Sequence, residues 1–286
     1  MTPSSQSTPE IVIEPSGGLN LPSWNELFAY RDLFWLLVWR DITTRYKQTA
    51  LGILWYVIQP VVTTVIFMLI FSRVARIPTN GVPSSLFYLC GLLPWNYFSQ
   101  TFQSTAGTLA NNAGVFGKVY FPRLIVPLSA ATSNLMATVI QLATFAVIYG
   151  VEKFGLRGDT FGVTAGTWFL PLLFIQVAMV SLGVGLCLTA VSAKYRDFSV
   201  VAGFIMQLWM YGTPVIYPLS RVPARWYFVA ALNPMTFPTE ALRQMLLGAG
   251  TITTPLFLES AILTVVVFFT GLIAFQQVEK SFIDVI

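Results

Sequence analysis

Long uninterrupted apolar runs constrain this chain more than any motif in it. Six stretches extend from about Gly52 to Phe71, Leu86 to Gly107, Leu124 to Gly150, Trp168 to Ala190, Phe198 to Tyr217 and Ala261 to Gln277, each bounded by glycine, proline or charge. A helix of about 20 apolar residues crosses the roughly 30 Å hydrocarbon layer of a bilayer, whereas the strands of a soluble core are far shorter. Of the 286 residues, 55% are hydrophobic and only 10% charged; a soluble domain is about a quarter charged and has no core able to hide so much apolar chain. The sequence therefore predicts an all-α integral membrane protein with six transmembrane helices. An even number of spans puts both termini on one side.

The segments outside these runs differ in character. Residues 1–23 are polar and rich in proline and serine without a basic-then-apolar signal pattern, and are expected to form a disordered cytoplasmic tail. In residues 24–47, Tyr30, Phe34, Leu37, Val38, Ile42 and Tyr46 recur at helical spacing. Arg31, Asp32, Arg40, Asp41, Arg45 and Lys47 fall elsewhere, with Trp35 and Trp39 at the boundary. This pattern predicts an amphipathic helix lying in the interface plane, which is either a plain anchor or a docking helix for a cytoplasmic partner. Between the last two spans, residues 221–247 are apolar but broken by Arg221, Pro223, Arg225, Asn233, Pro234, Pro238, Glu240 and Arg243. They read as two half-helices dipping into the outer leaflet, where irregular backbone survives only if protein or a water-filled cavity shelters it. Nine of the 16 Lys and Arg residues fall inside if the N-terminus is cytoplasmic. The four before the first span, Arg31, Arg40, Arg45 and Lys47, favour that orientation.

Several functions are excluded. The basic residues are scattered rather than gathered in a stripe, which argues against nucleic acid. No ionisable residue lies in the middle of a predicted span and there is no histidine, so coupling to an ion gradient lacks its chemistry. The nearest approach to a phosphate-binding loop, Gly114-Val115-Phe116-Gly117-Lys118-Val119, has the wrong glycine spacing and valine where a hydroxyl must hold magnesium. No Asp-x-Asp pair offers a glycosyltransferase metal site, and Cys90 and Cys187 read as small buried hydrophobes rather than ligands. The chain is thus expected to be no enzyme and to hold no metal or cofactor.

Neutral polar and aromatic faces remain. Trp55, Tyr56, Gln59, Thr63 and Phe67 mark the first span; Asn96, Ser99, Gln100, Gln103 and Gly107 the second; Ser129, Ser133 and Gln141 the third; and Gln207, Tyr211, Pro214 and Tyr217 the fifth. Amides, hydroxyls and aromatic faces suit a sugar chain, but the same groups also serve as hydrogen bonds between helices or as an interfacial belt. If they line a path, Trp55, Tyr56, Gln59, Thr63, Phe67, Gln207, Tyr211 and Tyr217 share a cavity, and Trp226 and Tyr227 on the outer half-helix form part of its exit gate. Two compact loops, Asn111 to Arg123 and Ser192 to Asp197, lie on the presumed cytoplasmic side. They read either as ordinary positive-inside loops or as sockets for a partner, with Phe116 or Tyr120 filling a pocket and Arg196 pairing with an acid.

The series Arg31-Asp32-Leu33, Trp39-Arg40-Asp41-Ile42, Arg45-Tyr46-Lys47-Gln48-Thr49, Leu51-Gly52 and Trp55 resembles the opening segment of ABC-2 type permeases that export O-antigen, capsule or teichoic acid. Lys118 to Pro127, Tyr195-Arg196-Asp197, Tyr211 to Pro218 and Asn233-Pro234 fit the same family, so the resemblance covers residues 24–286. It implies a homodimer in the bacterial inner membrane, with two copies of a separate ATPase subunit binding ATP and magnesium. It further implies coupling contacts through Phe116, Lys118, Tyr120, Arg123, Tyr195, Arg196 and Asp197, gate helices before the last span, and an undecaprenyl-linked polysaccharide as cargo. Export of small amphipathic drugs or lipids by the same fold is the other reading.

Overall fold

The computed structural model describes residues 24–47, 51–109, 112, 114, 121–155, 161–195 and 198–283. Among these residues the structure is helical, without strands. The expected tail, 1–23, lies outside them. The helices are α1 (Trp24–Ala29), α2 (Arg31–Lys47), α3 (Trp55–Phe67), α4 (Ser84–Ala106), α5 (Ile125–Gly155), α6 (Leu170–Lys194), α7 (Phe198–Gly212), α8 (Ala224–Ala231), α9 (Thr236–Leu247) and α10 (Thr254–Ile283). A 3₁₀ turn, Gly52–Leu54, leads into α3, and a π-helical stretch, Met68–Val74, continues it. Among the described residues four continuous helical segments are long and apolar enough to cross a membrane: Gly52–Val74, Ile125–Gly155, Ala165–Ser192 and Thr254–Val278.

The helix α4 is the centre of the bundle. Leu86 through Trp95 are buried without a break, as expected of a helix enclosed on all sides, and α5, α6 and α9 surround it. Its polar residues Asn96, Ser99, Gln100 and Gln103 recur at spacings of three and four and so share one face in the last turns. The core forms three clusters, here a first, a middle and a far layer, of which the last two lie against different faces of α4. Leu37, Leu109, Phe121, Leu124, Leu186 and Phe275 close one end; Phe87, Trp95, Phe98, Phe174, Val180 and Met235 fill the middle; Leu86, Phe145, Phe161, Leu219, Leu242 and Leu256 close the other.

Glycine allows α6 and α10 to meet backbone to backbone. A Cβ on Gly271 of α10 would lie 2.2 Å from the carbonyl oxygen of Gly183 on α6, so these two backbones touch. Where the lipid is as apolar as the side chains, such small-residue seams supply the dispersion contacts that hold helices together.

The fifth predicted span is shorter than expected. The apolar run extends to Tyr217, but α7 ends at Gly212 and is 15 residues long, about 22 Å at the usual rise. Pro214 has no N–H to continue the ladder, and Asn233 captures the end: its Nδ2 donates to the Gly212 carbonyl (3.2 Å) and to Thr213 Oγ1 (2.9 Å). Asn233 Oδ1 accepts from Trp209 Nε1 and from the Met235 amide, both at 3.0 Å. The chain then turns back through Pro214 to Pro218 into α8 and α9.

The predicted stripe on α2 packs against protein, with Tyr30 and Phe34 beside Leu37. Leu37 and Val38 are buried and the helix packs against α5, while Trp35, Leu36 and Trp39 are exposed. α2 thus turns apolar side chains both toward protein and outward, the outward ones interspersed with the exposed Arg31, Asp32 and Arg40.

Candidate functional site

A cavity of about 440 Å³ opens where α2, the start of α3 and the end of α4 meet. Arg45, Gly52, Trp55, Tyr56, Gln59, Asn96, Ser99, Gln100 and Gln103 line it. Eight of these nine are uncharged, so the wall offers amides, hydroxyls and aromatic faces. Gln103 Nε2 donates to Ser99 Oγ (3.0 Å) along α4, and Asn96 Nδ2 donates to Gln141 Oε1 of α5 (3.2 Å). Such bonds hold the amides in place for a ligand while leaving further donor and acceptor capacity.

The structure divides the predicted path residues. Trp55, Tyr56 and Gln59 reach the cavity. Thr63 lies one turn further along, its hydroxyl donating to the Gln59 carbonyl (2.9 Å). Phe67 does not line the cavity: it is 8% exposed and packs edge-on against Phe71 and Tyr88 in the middle layer, because at that level α3 turns it toward α4. Gln207 and Tyr211 lie on the exposed face of α7, and Tyr217 packs against the middle layer. On α8, Trp226 is exposed with the Arg225 guanidinium 6.0 Å from its ring, whereas Tyr227 packs into the far layer of the core.

Polar residues of the third span serve the fold. Ser129 and Ser133 are buried and donate to the Val126 and Ala130 carbonyls of their own helix. Gln141 is buried against Asn96. Of the predicted coupling residues, Phe116, Lys118, Tyr120, Arg196 and Asp197 lie outside the described residues. Arg123 is buried, and Tyr195 is exposed beside Phe198. In α2, Arg40 and Asp41 form a surface pair at 2.9 Å.

Two features escaped sequence reasoning. Arg45 was grouped with the charged face of the interface helix, yet its guanidinium turns inward to the cavity and donates through Nη1 to Oδ1 of the buried Asn134 on α5. The second feature is a fully buried ion pair in the re-entrant segment, where Arg243 Nη1 meets Glu240 Oε1 at 2.9 Å with both side chains at 0% exposure. Arg243 also donates to the carbonyls of Pro214 (2.5 Å) and Val215 (2.6 Å) and lies 3.8 Å from the Phe87 ring centroid. Glu240 accepts from the amides of Leu219 (3.2 Å) and Thr251 (2.8 Å). Gly91 of α4 makes room, since a Cβ there would meet Arg243 Nη2 at 2.7 Å. The spacing of three residues on a helix was a visible cue, but it gave no sign that the pair was buried.

The pair satisfies the backbone of the turn that follows α7. A chain reversing inside a bundle must find partners for groups that water cannot reach, and here one guanidinium and one carboxylate bind four of its residues, Pro214, Val215, Tyr217 and Leu219. The segment containing α8 and α9 is therefore tied to the central helix, while the cavity lies toward the opposite end of α4.

Comparison with known proteins places this architecture. Over 219 residues, 73% of this chain and 78% of the relative, it is 31% identical to the O-antigen export system permease protein RfbA of Myxococcus xanthus. The RfbA protein of Klebsiella pneumoniae is 25% identical over 262 residues, covering 89% of this chain and 95% of that protein. The polysialic acid transport protein KpsM of Escherichia coli is 24% identical over 244 residues, covering 85% and 92%. Residues 32–247 match the ABC-2 type transporter family, and this chain belongs to that membrane permease family.

Proposed function

We propose that this chain is the membrane-spanning subunit of an ATP-driven exporter that moves a lipid-linked polysaccharide across the bacterial inner membrane. The observation that carries the reading is the polar and aromatic cavity at the junction of α2, α3 and α4, uncharged apart from Arg45 among its nine lining residues, taken with the exporters its relatives are named for. Sugar rings stack on aromatic faces, and their hydroxyls exchange hydrogen bonds with amides. A polymer has to slide, so many weak contacts serve better than one tight one. Each neutral hydrogen bond or aromatic contact is worth about 1 kcal/mol, enough to guide but not to trap.

In this reading six spans cross the membrane with the N-terminus inside, and two copies of the chain assemble over two ATPase subunits. The exposed face of α7, with Gln207 and Tyr211, completes the path across the dimer axis, and α8 and α9 form the outer gate. The loops containing Phe116 and Arg196 receive the ATPase. A polar wall favours a glycan over a small greasy drug, which would be better held in an apolar cleft.

The test is transport by the chain reconstituted with its ATPase in vesicles, following the appearance of lipid-linked glycan on the far side. Trp55→Ala and Gln100→Leu should each slow export about fivefold, the worth of one such contact, with ATP hydrolysis retained. Wild-type vesicles that hydrolyse ATP and move an amphipathic dye but no glycan would overturn the proposal.

A further inference from the structure

Four arginines gather at the end of the bundle away from the cavity. α3 starts at the cavity with Trp55, so its apolar run, Gly52–Val74, finishes at the far side, and Arg73 stands in its last turn. Arg76 follows three residues later. Asn80, on the connection to α4, donates through Nδ2 to Ser220 Oγ (3.3 Å), and that hydroxyl donates back to Asn80 Oδ1 (3.5 Å). The contact brings Arg221 and, at the start of α8, Arg225 to the same end. All four side chains are exposed. Among the described residues none of them has a carboxylate or a hydrogen-bond partner, and Arg225 touches only the Trp226 ring, 6.0 Å from its centroid. Of the described acids at this end, Glu240 is buried against Arg243, Glu152 accepts from Ser85 Oγ (2.7 Å), and Glu259 on α10 pairs with none of the four.

The backbone presents the first two arginines in an uncommon way. Met68–Val74 is π-helical, and Arg76 has φ 53°, a left-handed conformation that a residue with a Cβ disfavours. Such distortions persist where they aim a side chain. Large apolar side chains alternate with the cations: Val74 is 79% exposed, Trp226 54% and Phe228 66%. A surface of this kind fits one depth in a membrane. The apolar groups face acyl chains, and the guanidinium groups, where the apolar span ends, reach the phosphates. A soluble anionic polymer would meet the cations but leave the valine and the aromatic rings uncovered.

We infer that this rim is a docking surface for anionic phospholipid head groups in the leaflet at that end, with phosphatidylglycerol as the simplest example. Guanidinium forks match phosphate oxygens two at a time, and clustered positive charge without a protein partner selects lipids of net negative charge. Lipids held there bridge the α3–α4 connection and α8, the two elements that Asn80 and Ser220 join. The surface serves whatever cargo the chain moves.

The test replaces Val74 with a fluorescent amino acid in the full chain, bound to its ATPase in nanodiscs. Quenching by brominated phosphatidylglycerol is compared with quenching by brominated phosphatidylcholine at equal mole fraction. Each arginine near the lipid surface is worth about fivefold, so wild type should favour phosphatidylglycerol by about tenfold or more. Glutamine at Arg73, Arg76, Arg221 and Arg225 together should remove the preference, and lysine at all four should keep most of it. Melting in phosphatidylcholine alone should match wild type in both variants, because none of these side chains holds another part of the fold. If the fourfold glutamine variant fails to accumulate, Arg225→Gln alone, expected to lower the preference about fivefold, decides. Equal quenching by the two lipids in wild type, or a preference that survives the glutamine changes, would overturn the inference. So would a preference abolished by soluble dextran sulfate at matched charge, which would assign the rim to an anionic polymer in water.

Discussion

Replacing Arg243 with leucine is expected to destabilise the protein by about 3–5 kcal/mol, the cost of leaving one member of a buried ion pair alone. Glu240 would remain at 0% exposure without its cation, and the carbonyls of Pro214 and Val215 would lose their donors. The variant should accumulate poorly in membranes, and the detergent-solubilised protein should melt well below wild type. Glu240→Gln should be milder, about 1–3 kcal/mol, because the amide oxygen can still accept from Leu219 or Thr251. A charge exchange, Glu240→Arg with Arg243→Glu, separates two explanations. If Coulomb attraction alone mattered, the exchanged pair would restore stability. The geometry predicts no rescue: a glutamate at 243 offers no donor to the Pro214 and Val215 carbonyls, and an arginine at 240 offers no acceptor to the Leu219 and Thr251 amides. Recovery of wild-type melting by the exchanged pair would defeat this account.

Gly271→Leu should be at least as damaging. The first side-chain atom would fall 2.2 Å from the Gly183 carbonyl oxygen, and a Cβ on Gly183 would in turn meet the Val267 carbonyl oxygen at 2.6 Å. Backbone cannot swing aside like a flexible side chain, so α6 and α10 must separate and lose their contacts along the seam. The cost should exceed the about 1–3 kcal/mol typical of overpacking a core, and the variant should fail to accumulate as folded protein. Gly203→Ala on α7 is the control, since nothing lies within 4 Å of a Cβ there, and it should express and melt like wild type. Normal folding of Gly271→Leu would show that the seam opens freely.

The helical class and the membrane environment were legible in the apolar runs because both depend on local chain properties. A run of apolar residues must satisfy its own backbone in lipid, and only a helix does so within one segment. The family was legible because its motifs are themselves short local strings, such as Trp39-Arg40-Asp41 and Asn233-Pro234. The polar face of α4 was also readable from spacing alone, since residues three and four apart share one side of a helix.

Pairings across the sequence were not readable in that way. Arg45 had the composition of an interfacial charge, and the α2–α5 packing that delivers it to Asn134 joins positions 89 apart. Glu240 and Arg243 looked like helix-breaking charges in a broken segment, yet the fold encloses them against Phe87 and Gly91 of α4. The end of α7 at Gly212 depends on an asparagine 21 residues later. Phe67 shared a helix with the cavity residues but turned into the core where α3 meets Tyr88. Periodicity assigns a residue to a face and hydropathy assigns it to a medium; which neighbour occupies that face is settled only when distant helices pack, because burial, charge compensation and hydrogen-bond satisfaction are properties of the assembled bundle.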